Sequence, residues 1–426
     1  MAKIGRGSSP NWALALLTGI AICGFIDRII MQVLVQPIKT EFGLTDLQIG
    51  LVSGLAFAVL NVVLGLWVAR IAERRRRTPL VWIGTILWSI ATAACGAAAN
   101  FIQLIFARVG VGVGEAVGLP ATSSIVSDYF PKEKRTTAMA VLMLAPPLGA
   151  FIGSAGAATI AQTHGWREAF YVAAIPGFLP ALLFALTVDE PKRGQHDGLT
   201  EDSAVPPFSA VMGRLFGRRS LTHLLAGSTI ASMAGFALNA FLAAWLLRRF
   251  GFGVAQAGII AGLIASLPAS FSVLGAGWLA DRMGKRNPAA YGLIPAISLI
   301  IAAPLYILAV TRDEPVIAIV LLGLSALVQY TYLAPTLGVF QNMMHPRMRA
   351  SSSAFNNMIY SLVGGGLGPL VIGALSDRLA PDTTQLGSAI GLGHAMAAMA
   401  CLYLWAAVHF LIAARALPRE FHLPID

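Results

Sequence analysis

The sequence predicts an all-α polytopic membrane protein, with twelve transmembrane helices in two pseudo-symmetric six-helix bundles, and three observations support this. Of the 426 residues, 57% are hydrophobic and only 12% charged, and the mean hydropathy is +0.73. Soluble domains carry about 25% charged residues, so the polar surface needed to cover this much apolar material in water is missing. Apolar runs of about 20 residues, enough to cross roughly 30 Å of hydrocarbon, recur twelve times. A loop sequence also repeats at nearly half the chain length.

The expected spans are 12–38, 48–69, 79–98, 101–127, 137–162, 168–187, 221–247, 254–280, 289–310, 315–342, 349–376 and 388–414. The longest polar interval divides them six and six. This gives an N-terminal bundle over 1–188, a cytoplasmic linker over 189–220 and a C-terminal bundle over 221–426. Pro, Gly and mixed charge suit a linker, with a short surface helix over 208–217.

With the N-terminus inside, 22 of the 30 Lys and Arg residues fall on the cytoplasmic side. Six fall outside (Lys39, Arg167, Arg248, Arg249, Arg312 and Arg378), and Arg28 and Arg108 lie within spans. The positive-inside bias therefore places both termini in the cytoplasm. The formal charge of +10 is spread over several short loops without an aromatic-rich soluble face, which argues against nucleic acid and for lipid headgroups. Lys3 and Arg6 precede an apolar run too long for a signal peptide and lacking an Ala-x-Ala site, so it is expected to be a retained first helix. Cys23, Cys95 and Cys401 make no metal or disulfide pattern, and the seven His form no His-Glu-x-x-His or Ser-His-Asp set. No cofactor or metal is expected, and a membrane-embedded lipid-modifying enzyme is disfavoured.

The repeat pairs "ARIAERRRR", 69–77, with "GWLADRMGK", 277–285, at an offset of 208 residues. Glu73 falls on Asp281, Arg74 on Arg282 and Arg77 on Lys285. Equivalence of spans 2 and 8 implies two bundles related by an axis along the membrane normal.

Four ionisable groups lie deep in spans: Asp27 and Arg28 in span 1, Arg108 and Glu115 in span 4. A charge at a helix centre costs at least about 2.5 to 3.5 kcal/mol, so such groups face the bundle interior and find partners. At about 1.5 Å per residue, Asp27 lies roughly 16 Å below the outer end of span 1, between Arg108 at roughly 10 Å and Glu115 at roughly 21 Å in span 4. Arg108 and Glu115, two turns apart, share a face, whereas Asp27 and Arg28 point about 100° apart. The quartet is formally neutral. Either it is an ion-pair lattice that fixes helix register, or Asp27 carries a coupling proton with Arg108 as its electrostatic partner. In the second case Glu115 balances Arg108 or joins the relay, and Arg28 meets an anionic headgroup. The glycines of "RVGVGVGEA" are not a phosphate loop, having no preceding strand and no Gly-Lys-Ser/Thr; Gly110 and Gly114 give a small-residue packing face.

The run Gly277 to Arg286 resembles the signature loop of the major facilitator superfamily, through Gly277, Asp281, Arg282, Gly284, Lys285 and Arg286. The resemblance implies packing and latching roles for these residues. In the N-terminal copy Ala69, Glu73 and Arg76 depart from the pattern, while Arg74 and Arg77 keep its bases. "FIDRI", "VQPIKTEFGLTDLQIGLVSGLAFA", "RVGVGVGEA" and "SDYFPKEKR" together resemble the spinster-like branch, including its bacterial members. That resemblance implies alternating-access transport in a bacterial inner membrane, with Asp27, Arg28, Arg108 and Glu115 carrying proton coupling or substrate. It also implies a lysophospholipid or sphingolipid-phosphate solute. A small organic anion or a drug is the alternative. The expected partners are a small amphipathic solute, protons and membrane lipids, with no nucleic acid, and the chain is expected to be a monomer.

Further polar groups are substrate-path candidates: Phe57 and Asn61 in span 2, Asn239 in span 7, Gln329 and Tyr330 in span 10, and Asn356, Asn357 and Tyr360 in span 11. For each of these, a helix–helix hydrogen bond is the competing role. Pro146, Pro147, Gly149 and Gly153 in span 5 are expected to bend or pack that helix. Trp166 and Arg167 are expected to act as interfacial anchors.

Overall fold

A computed structural model describes residues 9–59, 61–65, 76–131, 138–139, 141–192, 208–344 and 348–421, and no strand occurs among them. Ten helices among the described residues are long and apolar enough to cross a membrane. The remaining two expected spans, 4 and 5, correspond to Phe101–Glu115 with Gly118–Tyr129, broken at residues 116–117, and to Ala145–His164.

The chain divides into two compact units. The first comprises residues 1–44, 55–202 and 252–262. Its helices are α1 (Pro10–Val33), α2 (Val35–Phe42), most of α3 (Asp46–Gly65), α4 (Arg77–Ala97), α5 (Phe101–Glu115), α6 (Gly118–Tyr129), α7 (Ala145–His164) and α8 (Trp166–Thr187). The expected small-residue face of span 4 packs on α4. A Cβ on Gly114 would stand 2.6 Å from the Trp88 nitrogen, and one on Gly110 3.1 Å from the Ala91 Cβ. At Gly114 only hydrogen lets the two backbones meet, and at Gly110 a methyl group would be tight.

Span 5 is interrupted directly before its prolines: residues 141–142 are helical, 143–144 form a turn, and α7 starts at Ala145. Pro146 and Pro147 fall in the first turn of α7, where the N–H groups have no intrahelical partner and a missing one costs nothing. The second segment of the span, α7, begins there, and Gly149 and Gly153 let it approach α1 at Phe25 and Ile26.

Outside the spans, Glu41 accepts from the Trp166 ring nitrogen at 2.6 Å and from Arg167 at 2.5 Å, while Arg167 also donates to the Ala98 carbonyl. The anchors expected at Trp166 and Arg167 are therefore a clamp joining α2, α8 and the end of α4. At the other end of α4, fully buried Arg77 donates to Glu190, Ser124 and Asp128 and to the Pro191 carbonyl. Of the N-terminal signature residues, Arg77 thus ties α4, α6 and the chain after α8; Glu73 and Arg74 lie outside the described residues.

The second unit comprises residues 45–54, 203–251 and 263–426. It holds α9 (Phe208–Gly217), α10 (Arg219–Phe250), most of α11 (Val254–Gly284), α12 (Ala290–Val310), α13 (Pro315–Gln329), α14 (Leu333–Met343), α15 (Arg349–Ile359), α16 (Gly368–Leu379) and α17 (Gln385–Glu420). The surface helix expected over 208–217 is α9: it buries Val211 and Leu215, leaves Phe208 and Phe216 exposed, and is tied by Arg214 to the Met343 carbonyl.

In the C-terminal signature, Asp281, Arg282, Lys285 and Arg286 are exposed, and Arg282 lies over the Trp278 ring at 5.4 Å. A Cβ on Gly284 would meet the Tyr291 ring at 2.4 Å, so the glycine makes room for that ring, and Gly277 approaches Ala334.

Candidate functional site

All four expected intramembrane charges belong to the first unit. The 100° offset along α1 turns Asp27 toward α4 and Arg28 toward α5. Asp27, 2% exposed, accepts through Oδ2 from the Thr92 hydroxyl, and its Oδ1 has no hydrogen-bond partner among the described residues. The Arg28 Nε donates to Glu115 Oε2 at 2.6 Å; the Arg28 side chain is 41% exposed and that of Glu115 3%. The buried Arg108 reaches the main-chain carbonyl of Asp27 at 3.5 Å.

This differs from the expected pairing. The base that reaches a carboxylate is Arg28, not Arg108, and Glu115 balances Arg28. Arg108 makes no side-chain bond to the Asp27 carboxylate and acts on it as a neighbouring charge, the electrostatic partner expected.

Phe57 explains how two guanidinium groups share the site. Its ring faces Arg28 at 5.3 Å and Arg108 at 5.4 Å, and Phe25 covers Arg28 at 5.2 Å. Cation–π contact of this kind stabilises a desolvated cation without adding a charge. Asn61 donates to the Gly112 carbonyl at 3.3 Å, which holds α3 against α5 beside the cluster.

Sequence reasoning missed Thr92. Its signal was the hydroxyl series Thr85, Ser89 and Thr92, all buried on one face of α4 at helical spacing.

The second unit has uncharged candidates. Asn239 donates to the Tyr330 hydroxyl, and Tyr403 donates to Gln329 Oε1 at 3.0 Å. Tyr360 hydrogen-bonds Ser228 and Asn356, whereas Asn357 is exposed. Gln329 is buried at 3% exposure behind Tyr330, so its amide orients the neighbouring hydroxyls.

The helix break of span 4 at residues 116–117 has a counterpart in span 10, where residues 330–332 interrupt the helix between α13 and α14. Glu115 directly precedes the first break, and Gln329 and Tyr330 lie at the second. Helices interrupted at corresponding positions of two repeats are where transporters place binding groups. Sequence reasoning also missed the bidentate pair of Asp46 and Arg248 in the second unit, 2.7 Å at both contacts, with Ser376 donating to the same carboxylate.

Comparison with known proteins agrees with this architecture. The chain is 31% identical to an MFS-type efflux pump of Mycolicibacterium smegmatis over 88% of its own length and 87% of the relative's. It is 25% identical to the cis,cis-muconate transport protein of Acinetobacter baylyi, over 91% of both chains. A solved structure, that of a bacterial homolog to the human lysosomal transporter Spinster in an inward-facing and unoccupied conformation, superposes with a TM-score of 0.91. It is 28% identical, with coverage of 99% of this chain and 100% of that one. The likeness thus runs to spinster proteins, and to transporters rather than enzymes. The sequence profile of the Major Facilitator Superfamily matches residues 16–369, and the chain belongs to that family.

Proposed function

We propose that this integral membrane protein is a proton-coupled secondary transporter of an anionic, amphipathic, lipid-like solute of the lysophospholipid or sphingolipid-phosphate class. The observation that carries this reading is the charge balance of the first-unit cluster. With Asp27, Arg28, Arg108 and Glu115 ionised the site is neutral. A proton on Asp27 leaves it with one net positive charge, and Arg28 is the member partly open to a ligand. An anion is then drawn to the protonated site, so proton and anion move together, and uptake of the anion rises as pH falls. Phe25 and Phe57 beside Arg28 suit a headgroup that continues into an apolar chain.

The protein works as a monomer in a bacterial inner membrane with both termini cytoplasmic, an orientation that follows from its positive-inside charge bias and is checked by protease access to a terminal tag. The main test is flux of a lysophospholipid panel into proteoliposomes with and without an imposed proton gradient. Asp27→Asn abolishes the pH dependence of uptake; retention of the wild-type profile refutes the proton assignment. A second reading, transport of a small organic anion or a drug, is favoured by the likeness to an efflux pump and a muconate transporter. It prevails if muconate is transported and lysolipids neither move nor compete.

A further inference from the structure

Thr92 stands in the middle of α4 with 1% exposure, and the direction of its hydroxyl is unusual for its setting. A helical Thr ordinarily donates to the carbonyl four residues back. Thr85 on the same helix does so, to Val81 at 2.8 Å, as Thr159 and Thr163 do on α7. Thr92 instead gives its only donor to Asp27 Oδ2, on a helix 65 positions away in sequence. The Asp27 carboxyl is left with one oxygen engaged and one, Oδ1, buried without a partner among the described residues.

We propose that Thr92 is the positioning residue of the coupling site: by occupying Oδ2 it fixes the carboxyl rotamer and makes Oδ1 the atom that takes and releases the proton. The inference rests on Asp27 being the proton carrier. When a proton arrives, the new O–H forms at Oδ1, and Oδ2 keeps accepting from Thr92 as a carbonyl oxygen. One hydrogen bond therefore survives both protonation states, and α1 keeps its register on α4 through the cycle. Arg108 approaches the Asp27 main-chain carbonyl rather than its carboxylate.

The other titratable and charged groups around Asp27 are Cys23 and Arg28 on α1, Cys95 on α4, and Arg108 and Glu115 on α5. The remaining helices packed on α1 carry theirs toward their ends: Lys39 and Glu41 on α2, Asp128 and Tyr129 on α6, His164 on α7, and Arg167, Glu168 and Tyr171 on α8. None of these donates to the oxygen that Thr92 holds.

The test reads Asp27 itself, without need of the solute. The full-length protein in lipid is titrated by infrared difference spectroscopy, and Asp27→Asn identifies the protonated-carboxyl band. Thr92→Val is nearly isosteric and removes the donor, while Thr92→Ser restores it. The bond is worth about 1.5 to 3 kcal/mol to the carboxylate and about 0.5 to 1.5 kcal/mol to the neutral acid, so Thr92→Val moves the band's titration midpoint up by about one pH unit. Its carbonyl stretch moves to higher wavenumber, and Thr92→Ser returns both to wild type. Thr92→Ala gives the same readout if the valine variant does not fold. A role confined to helix packing predicts lower thermal stability with an unmoved midpoint and frequency, and that result overturns the inference while leaving Asp27 as carrier. Absence of any Asp27-dependent band overturns the carrier reading and the inference with it.

Discussion

Glu115 is almost fully buried and Arg28 is not, so the two ends of their ion pair differ in what they lose when separated. The carboxylate depends on Arg28 for its counter-charge, whereas the guanidinium also has two aromatic faces and an open side. Glu115→Gln therefore leaves the cluster with a permanent positive charge. Anion uptake by this variant is expected to lose much of its dependence on acidification, measured as the pH profile in proteoliposomes; an unchanged profile contradicts the charge-balance reading. The pair of Asp46 and Arg248 is buried on both sides, 1% and 2% exposed. Arg248→Ala strands a buried carboxylate, which costs about 3 to 5 kcal/mol. Its apparent melting temperature should fall well below that of the double variant Asp46→Leu/Arg248→Leu, which strands no charge.

At the scale of elements, two devices position the site. Interrupted helices in spans 4 and 10 end beside Glu115 and Tyr330. Glycine faces set how closely α5 approaches α4 and α7 approaches α1. Gly114→Leu would place a side chain where the Trp88 backbone stands, and the yield of folded protein should drop sharply. Pro147→Ala, in the first turn of α7, should change stability by less than about 0.5 kcal/mol, because no helical hydrogen bond depends on that position. Tyr330→Phe removes the hydroxyl that Asn239 engages; if that hydroxyl contacts solute, uptake falls while the fold is retained.

At the scale of the molecule, carboxylates outside the spans tie the two ends of the first unit. Burial raises the Glu190 pKa, but the Thr78 N–H and Arg77 outweigh it and leave it below the ordinary value. The Trp166 hydrogen bond and Arg167 hold Glu41 below its usual range against a small desolvation. A depressed carboxylate stabilises the fold above its unfolded pKa, and that contribution is lost as pH falls through the folded pKa. Apparent thermal stability is therefore expected to hold near neutrality and to fall on acidification below about pH 4. Glu190→Gln should lower the neutral plateau and flatten the acid limb. A wild-type curve that does not fall in acid contradicts this account.

What the sequence by itself determined is the class of solvent, the helical spans, the surface helix at 208–217 and the identity of the four charges within the spans. Those features follow from local hydropathy and from the cost of placing a charge in hydrocarbon, both readable one segment at a time. Only the tertiary structure decided which charge meets which. That choice turns on the rotation of α1 against α4 and α5, which brings together residues far apart in sequence. Thr92 entered the site for the same reason, since a hydroxyl in an apolar helix is unremarkable until a carboxylate 65 residues away is turned toward it. Asp46 and Arg248, which resemble ordinary loop charges in sequence, became a buried pair only once the helices that carry them were packed.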